Sequence, residues 1–183
     1  MNRRKALQLA ATATGTAMGL PAFSALFSSC QAEVQGVDYE TYFFSPEEMA
    51  WVEQLVDVIL PATDSPAASA VGVHKMIDIM IGKVMGKEGQ EKYSQGFTQL
   101  KAHMDKEGFS KADTDKQIDL LQTLEQSDDQ QLKSSYLDLK NRSVAYYLNT
   151  EEIGTKFLNY LPVPGEYKAC ITVEEAGGKA WAI

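Results

Sequence analysis

The stretch SPEEMAWVEQLVDVILP, residues 45–61, decides the fold class. Ser45 carries the short acceptor side chain that a helix N-cap needs, and Pro46 suits the first helical position, where an N–H would go unbonded anyway. Glu47 and Glu48 then lie at the positive end of the helix dipole. Behind them Met49, Val52, Val56 and Ile59 make one stripe, which Trp51, Leu55 and Val58 widen. A face that wide predicts a central helix covered by neighbours. Pro61 stops it near Leu60, and Asp64-Ser65-Pro66 is turn chemistry, with the Asp64 side chain expected to hold the turn.

Helical spacing continues outward from this stretch. Val73, Met76, Ile77, Met80, Ile81 and Val84 follow the i, i+3, i+4, i+7 template and predict a second helix, ended by Gly86 and Gly89. Tyr93, Phe97, Leu100 and Met104 predict a third that ends at Gly108. Ser110 to Asp113 and Ser127 to Gln130 resemble capping boxes. They open helices built on Ile118, Leu121 and Leu124, and on Leu132, Tyr136 and Leu139 as far as Tyr147. Thr150-Glu151-Glu152 opens a short last helix holding Ile153, Phe157, Leu158 and Leu161. The expectation is an all-α, irregular bundle of five or six helices. Residues 162–183 follow as an irregular tail, with one short extended piece at Cys170 to Val173. The expected core is Val52, Leu55, Val56, Ile59, Ile77, Met80, Ile81, Phe97, Leu100, Leu121, Leu124, Leu139 and Phe157.

The amino-terminal flank has a different character. The first acidic residue is Glu33, and before it the only charges are Arg3, Arg4 and Lys5, followed by the uncharged run Ala6 to Phe27. That order is a targeting signature. The paired Arg3 and Arg4 resemble a twin-arginine export signal, and Thr12, Thr14, Gly15, Thr16, Gly19 and Pro21 dilute the apolar run, favouring export over a permanent anchor helix. Cys30, in Leu26-Phe27-Ser28-Ser29-Cys30, sits in a relaxed lipobox and is a candidate lipidation residue, with plain cleavage nearby as the alternative. The domain reading is therefore an export signal over 1–30, a linker over 31–44 and a helical domain over 45–183.

Charge and motifs exclude several functions. The 17 basic and 25 acidic residues give a net charge of -8, and loss of the three amino-terminal cations with the signal would leave 14 against 25, or -11. Nucleic-acid binding would work against that field. With 44% hydrophobic and 23% charged residues, global disorder and a polytopic membrane protein are both disfavoured. Dinucleotide, phosphate-loop and nucleophile-elbow patterns are missing from the sequence. His74 and His103 are the only histidines and there are two cysteines, too few for a zinc site of ordinary composition, and no C-x-x-C-H is present for covalent haem. His74, opening a helix beside the Asp64 turn, is expected to cap or pack, and His103 to face solvent. Glu47-Glu48, Asp128-Asp129 and Glu151-Glu152 fall in first turns, where the dipole accounts for them. Cys170 is open to three readings: a buried apolar residue, a partner of Cys30, or half of a disulfide to another chain.

Three motifs remain. Ile59-Leu60-Pro61 runs into Thr63-Asp64-Ser65-Pro66; Val73-His74 is followed by Ile77-Asp78; and the tail reads Tyr160-Leu161-Pro162-Val163-Pro164-Gly165-Glu166-Tyr167. In this order, behind a twin-arginine signal, they resemble the gluconate 2-dehydrogenase subunit 3 family, small Tat-exported subunits of membrane-associated flavoprotein dehydrogenases. Asn149-Thr150-Glu151 departs from the Thr-Ser-Glu-like turn of many members. The resemblance implies a non-catalytic accessory subunit of a large FAD-dependent sugar or alcohol oxidoreductase, often with a c-type cytochrome. The FAD would sit in the partner, with no cofactor or metal in this chain. It also implies a place in the periplasm or on the periplasmic face of the membrane, tethered there if Cys30 is lipidated. Pro61, Asp64, His74 and Asp78 would then be structural motif residues. Tyr160, Pro162, Pro164, Gly165, Tyr167 and Cys170 would form a stiff, aromatic surface for the partner, with a tail folded back over the helices as core cover as the alternative. Two competing readings are a stand-alone cell-envelope lipoprotein that binds a ligand or another envelope protein, and an enzyme in its own right.

Overall fold

Ser45 opens the first helix as its chemistry requires. Its hydroxyl accepts from Glu48 N at 3.3 Å while the Glu48 carboxylate accepts from Ser45 N at 2.9 Å, a complete capping box. The computed structural model describes residues 39–161, 163, 165–166, 170–175 and 177–182. Among them six α-helices follow one another: α1 (Pro46–Ile59), α2 (Val73–Ile79), α3 (Lys87–Lys106), α4 (Thr114–Glu125), α5 (Gln130–Leu148) and α6 (Glu151–Lys156). The fold is an irregular all-α bundle, and the single β pairing among the described residues is an isolated parallel bridge between Asn159 and Trp181. No described helix is long and apolar enough to cross a membrane.

Two caps differ from expectation. Asp113, not Ser110, caps α4, its carboxylate accepting from Lys116 N at 2.9 Å. Ser110 is taken up in a 3₁₀ turn, Phe109–Lys111, which starts from the left-handed Gly108 at φ 77°. Asp129 likewise caps α5 by accepting from Gln131 N and Leu132 N at 3.0 and 3.1 Å, while Ser127 Oγ only braces Asp129 N. A carboxylate acceptor two or three residues nearer the helix outcompetes the serine.

The predicted second helix is also interrupted. After Ile79 the chain widens into a π-helical segment, Met80–Val84, closed by Met85 N on Met80 O at 3.0 Å. The wider turn takes later residues off the apolar stripe, and Val84 is 65% exposed. Gln90 Nε2 lies 2.9, 3.1 and 3.0 Å from the carbonyl oxygens of Ile81, Gly82 and Met85, satisfying the segment's end. Gly86 is the N-cap of α3, and Gly89 lies inside that helix instead of ending the previous one.

The core is arranged around α5, which packs on every other α-helix. Its buried positions Leu132, Tyr136, Leu139, Ser143 and Tyr147 make a continuous stripe. A second cluster is aromatic. Phe44 and Trp51 meet Phe97 at centroid distances of 4.8 and 5.6 Å, and Trp51 meets Phe109 at 5.8 Å, joining α1, α3 and the 3₁₀ turn. Of the expected core, Ile59, Met80 and Phe157 are only half-buried. Each lies at the end of an α-helix or at the start of the π-helical segment, where fewer neighbours close over it. Leu161 lies beyond the end of α6, and no strand forms over Cys170 to Val173, where a turn begins.

Residues Tyr42 to Phe44 belong to the folded unit, which begins at Thr41, so the linker's last residues are part of the bundle. The reason is Asp78. Its side chain is fully buried, and its two carboxylate oxygens accept from the backbone N–H groups of Tyr42, Phe43 and Phe44 at 2.7, 2.9 and 2.9 Å. Asp78→Asn keeps the shape but turns one acceptor oxygen into a donor facing an N–H. It should cost about 3 kcal/mol of stability, read as a lowered urea midpoint at unchanged slope.

Candidate functional site

The loop that carries the first motif is held by residues outside the motif. In the loop from Leu60 to Gly72, Ala68 N donates to Leu60 O at 3.1 Å, and Asp57 on α1 accepts from Ser69 N and Ser69 Oγ at 2.8 and 2.6 Å. From α5, the Tyr147 hydroxyl donates to Pro66 O and meets Ser65 Oγ, both at 2.8 Å. Asp64, by contrast, is exposed and makes no side-chain hydrogen bond, and Pro61 is exposed beside it. The carboxylate that holds this loop is Asp57, which has the reach because it projects from a rigid helix. A sequence reading had no means to separate it from the other acidic residues of α1, since its partner lies 12 residues on.

His74 packs and does not cap. The N-cap of α2 is the left-handed Gly72, at φ 78°, with no side-chain cap. The imidazole is buried, and its Nδ1 has no hydrogen-bond partner. The charges that act on it are Glu53 and Asp57 on α1 and Lys75 beside it. Burial lowers its pKa below the ordinary histidine value, Lys75 adds to that, and the two carboxylates oppose it without reversing it. His103 is exposed on α3.

Beyond α6 the tail turns back on itself. Asn159 N donates to Ala180 O at 2.7 Å, Ala182 N donates to Asn159 O at 2.9 Å, and Asn159 Nδ2 donates to Lys179 O at 2.7 Å. Lys179 Nζ reaches Lys156 O at 3.0 Å, and Gly177 and Gly178, both at positive φ, make the return turn. One asparagine therefore clasps both ends of a loop. The loop displays Tyr160, Leu161, Val163, Ile171, Val173 and Trp181, with Val163 80% and Val173 73% exposed. Gly165 and Cys170 are exposed in the same stretch, and Cys170 is a free thiol, so its reading as a buried apolar residue fails. Pro162, Pro164 and Tyr167, like Arg3, Arg4 and Cys30, lie outside the described residues. Asn159 was missed in the sequence because a half-buried asparagine after a short helix carries no spacing signal.

Among the described residues no three of His, Cys, Asp and Glu converge as metal ligands. Fold and site together define a small all-α domain whose most distinctive surface is a clasped loop of exposed apolar side chains. Residues 46–165 match the family described as gluconate 2-dehydrogenase subunit 3, and the chain belongs to that family of dehydrogenase subunits. Neither a curated protein nor a solved structure matches the chain.

The His74 environment sets a pH dependence. Because its folded pKa lies below the unfolded value of 6.5, the unfolded chain takes up the proton first. The contribution is fully present above pH 6.5 and is lost as pH falls through the folded pKa. Urea midpoints taken at neutral and mildly acidic pH should converge more closely in His74→Leu than in the parent chain.

Proposed function

We propose that the chain is the non-catalytic accessory subunit of a periplasmic or membrane-bound FAD-dependent sugar or alcohol dehydrogenase, supporting export, maturation and assembly of the flavoprotein subunit. The observation that carries this reading is the family match over residues 46–165. The clasped loop supports it. A monomeric domain gains nothing from holding Val163, Val173 and Trp181 in water, whereas a partner subunit can bury them without first ordering a free chain. The FAD belongs to the partner in this reading, and a c-type cytochrome is the further component that receives electrons.

The export step follows from the chemistry of the cargo. A flavin is inserted as its protein folds, and the twin-arginine route carries folded proteins, so a flavoprotein without its own signal would travel bound to this subunit. Lipid on Cys30 would then hold the complex at the membrane, since an acyl chain supplies anchoring and no recognition.

Arg3→Lys combined with Arg4→Lys should retain both subunits in the cytoplasm, with the flavoprotein folded and flavin-loaded, as read by cell fractionation and flavin fluorescence. Flavoprotein activity that still reaches the periplasm would remove the escort role. Removal of residues 160–183 should leave the helical circular dichroism signal and the urea midpoint nearly unchanged, because the loop is tied by few hydrogen bonds at its base. The same deletion should abolish co-purification with the flavoprotein. Equal loss of folding and association would instead make the tail part of the core.

A further inference from the structure

The outward face of α2 and of the π-helical segment after it has no part in the clasped loop. Val73, His74, Ile77, Asp78 and Ile81 form the inner face and are buried. One turn apart on the other side run Lys75-Met76, Ile79-Met80 and Lys83-Val84, half-buried or exposed throughout. The wider π turn that takes Val84 off the buried stripe sets Lys83 and Val84 on this outer one. Met76 is 44% exposed, so neighbouring helices leave an apolar lane in water.

The charge of this face is opposite to that of the chain. Between residues 65 and 87 the charged residues are Lys75, Asp78, Lys83 and Lys87. Asp78 is buried against the backbone of Tyr42 to Phe44, so the charges that reach solvent here are all positive, in a protein of net charge -8. Lys83 lies over the Tyr42 ring and Lys87 opens α3, and neither forms an ion pair among the described residues. Salt screens the acidic remainder of the molecule beyond about 8–10 Å, so a surface brought against this face meets the lysines first. Lysine is depleted from protein–protein interfaces, whereas at a lipid surface its methylene stem lies along the apolar zone and its ammonium stays among the headgroups. An apolar lane edged by lysines therefore suits anionic lipid better than a protein subunit. The chain also enters the folded unit here: the unit starts at Thr41, and the next residue, Tyr42, lies beneath Lys83.

We propose that this face seats the folded domain on an anionic lipid bilayer, with Met76, Ile79, Met80 and Val84 entering the boundary between headgroups and acyl chains and Lys83 and Lys87 meeting lipid phosphates. The contact is non-covalent and does not depend on lipid at Cys30. The chain from Gln31 onward keeps the whole folded unit and is the one tested, because the apolar run before it would enter a bilayer by itself. At low ionic strength it should sediment with vesicles of phosphatidylcholine and phosphatidylglycerol, and not with phosphatidylcholine alone. Lys83→Gln with Lys87→Gln should weaken binding about twenty-fivefold, and Lys83→Arg with Lys87→Arg should leave it as in the parent. Met76→Ser with Val84→Ser should weaken it about tenfold, while Val163→Ser with Val173→Ser, in the clasped loop, should not. Each variant should keep the parent's circular dichroism spectrum. A bimane label at Val84→Cys in a Cys170→Ser background should shift to the blue on binding and be quenched by nitroxides on the acyl chains. Equal binding to both vesicles, binding to neither, loss only in the loop variant, indifference to the lysine-to-glutamine changes, or a label at residue 84 that stays in water would each overturn the proposal. Protection of that label by the flavoprotein subunit, without vesicle binding, would overturn it in favour of a protein partner.

Discussion

The buried carboxylate of Asp78 accepts three consecutive backbone N–H groups, from Tyr42, Phe43 and Phe44, and the amino-terminal half of the bundle is organised around that contact. Three donors entering an apolar interior need acceptors, and no strand or helix supplies them here. With Asp78 in place, Phe44 can enter the aromatic cluster against Phe97, and the chain is delivered to Ser45 in the extended geometry that caps α1. Tyr42 is drawn so near the π-helical segment that a Cβ on Gly82 would lie 2.6 Å from Tyr42 Cβ. Lys83 then covers the Tyr42 ring, its Nζ 3.6 Å from the ring centre. The absence of a side chain at Gly82 and the acceptor oxygens of Asp78 are two halves of the same docking.

The second organising element is α5. Because it touches every other α-helix, its polar side chains serve as ties between segments far apart in sequence. Tyr147 reaches the Ser65-Pro66 turn, Lys140 pairs with Glu125 on α4, and Ser143 turns its buried hydroxyl inward onto Leu139 O at 2.8 Å. The 3₁₀ turn is treated in the same way, its Phe109 carbonyl accepting from the buried Gln117 amide at 2.9 Å. Of the residues that look like a chemical signature along the chain, Ser65 and Pro66 fasten the loop before α2 and Asp78 fastens the segment before α1. Among the described residues the tail is tied by the clasp at Asn159 and by the Lys179 bond to Lys156 O, and the loop beyond displays its apolar side chains to solvent.

Much of this was legible along the chain. Apolar spacing of three and four residues located the helices, because one face of each must be buried whatever it packs against. Ser45-Pro46 and Gly108 marked boundaries through local chemistry alone. The order of the three motifs carried the resemblance to the family. These signals are local, written in residues adjacent or one helical turn apart.

What only the tertiary structure decided depends on pairs separated by tens of residues. That Asp78 and not Asp64 is the carboxylate the fold needs follows from a partner segment 34 to 36 positions away, and Tyr147 meets Pro66 across 81. The choice of Asp113 and Asp129 over nearby serines as caps and the widening at Met80 were settled by which neighbour was close enough to compete. A one-dimensional pattern states that a residue must be buried or satisfied. The group that satisfies it is chosen by packing, and packing is a property of the folded chain.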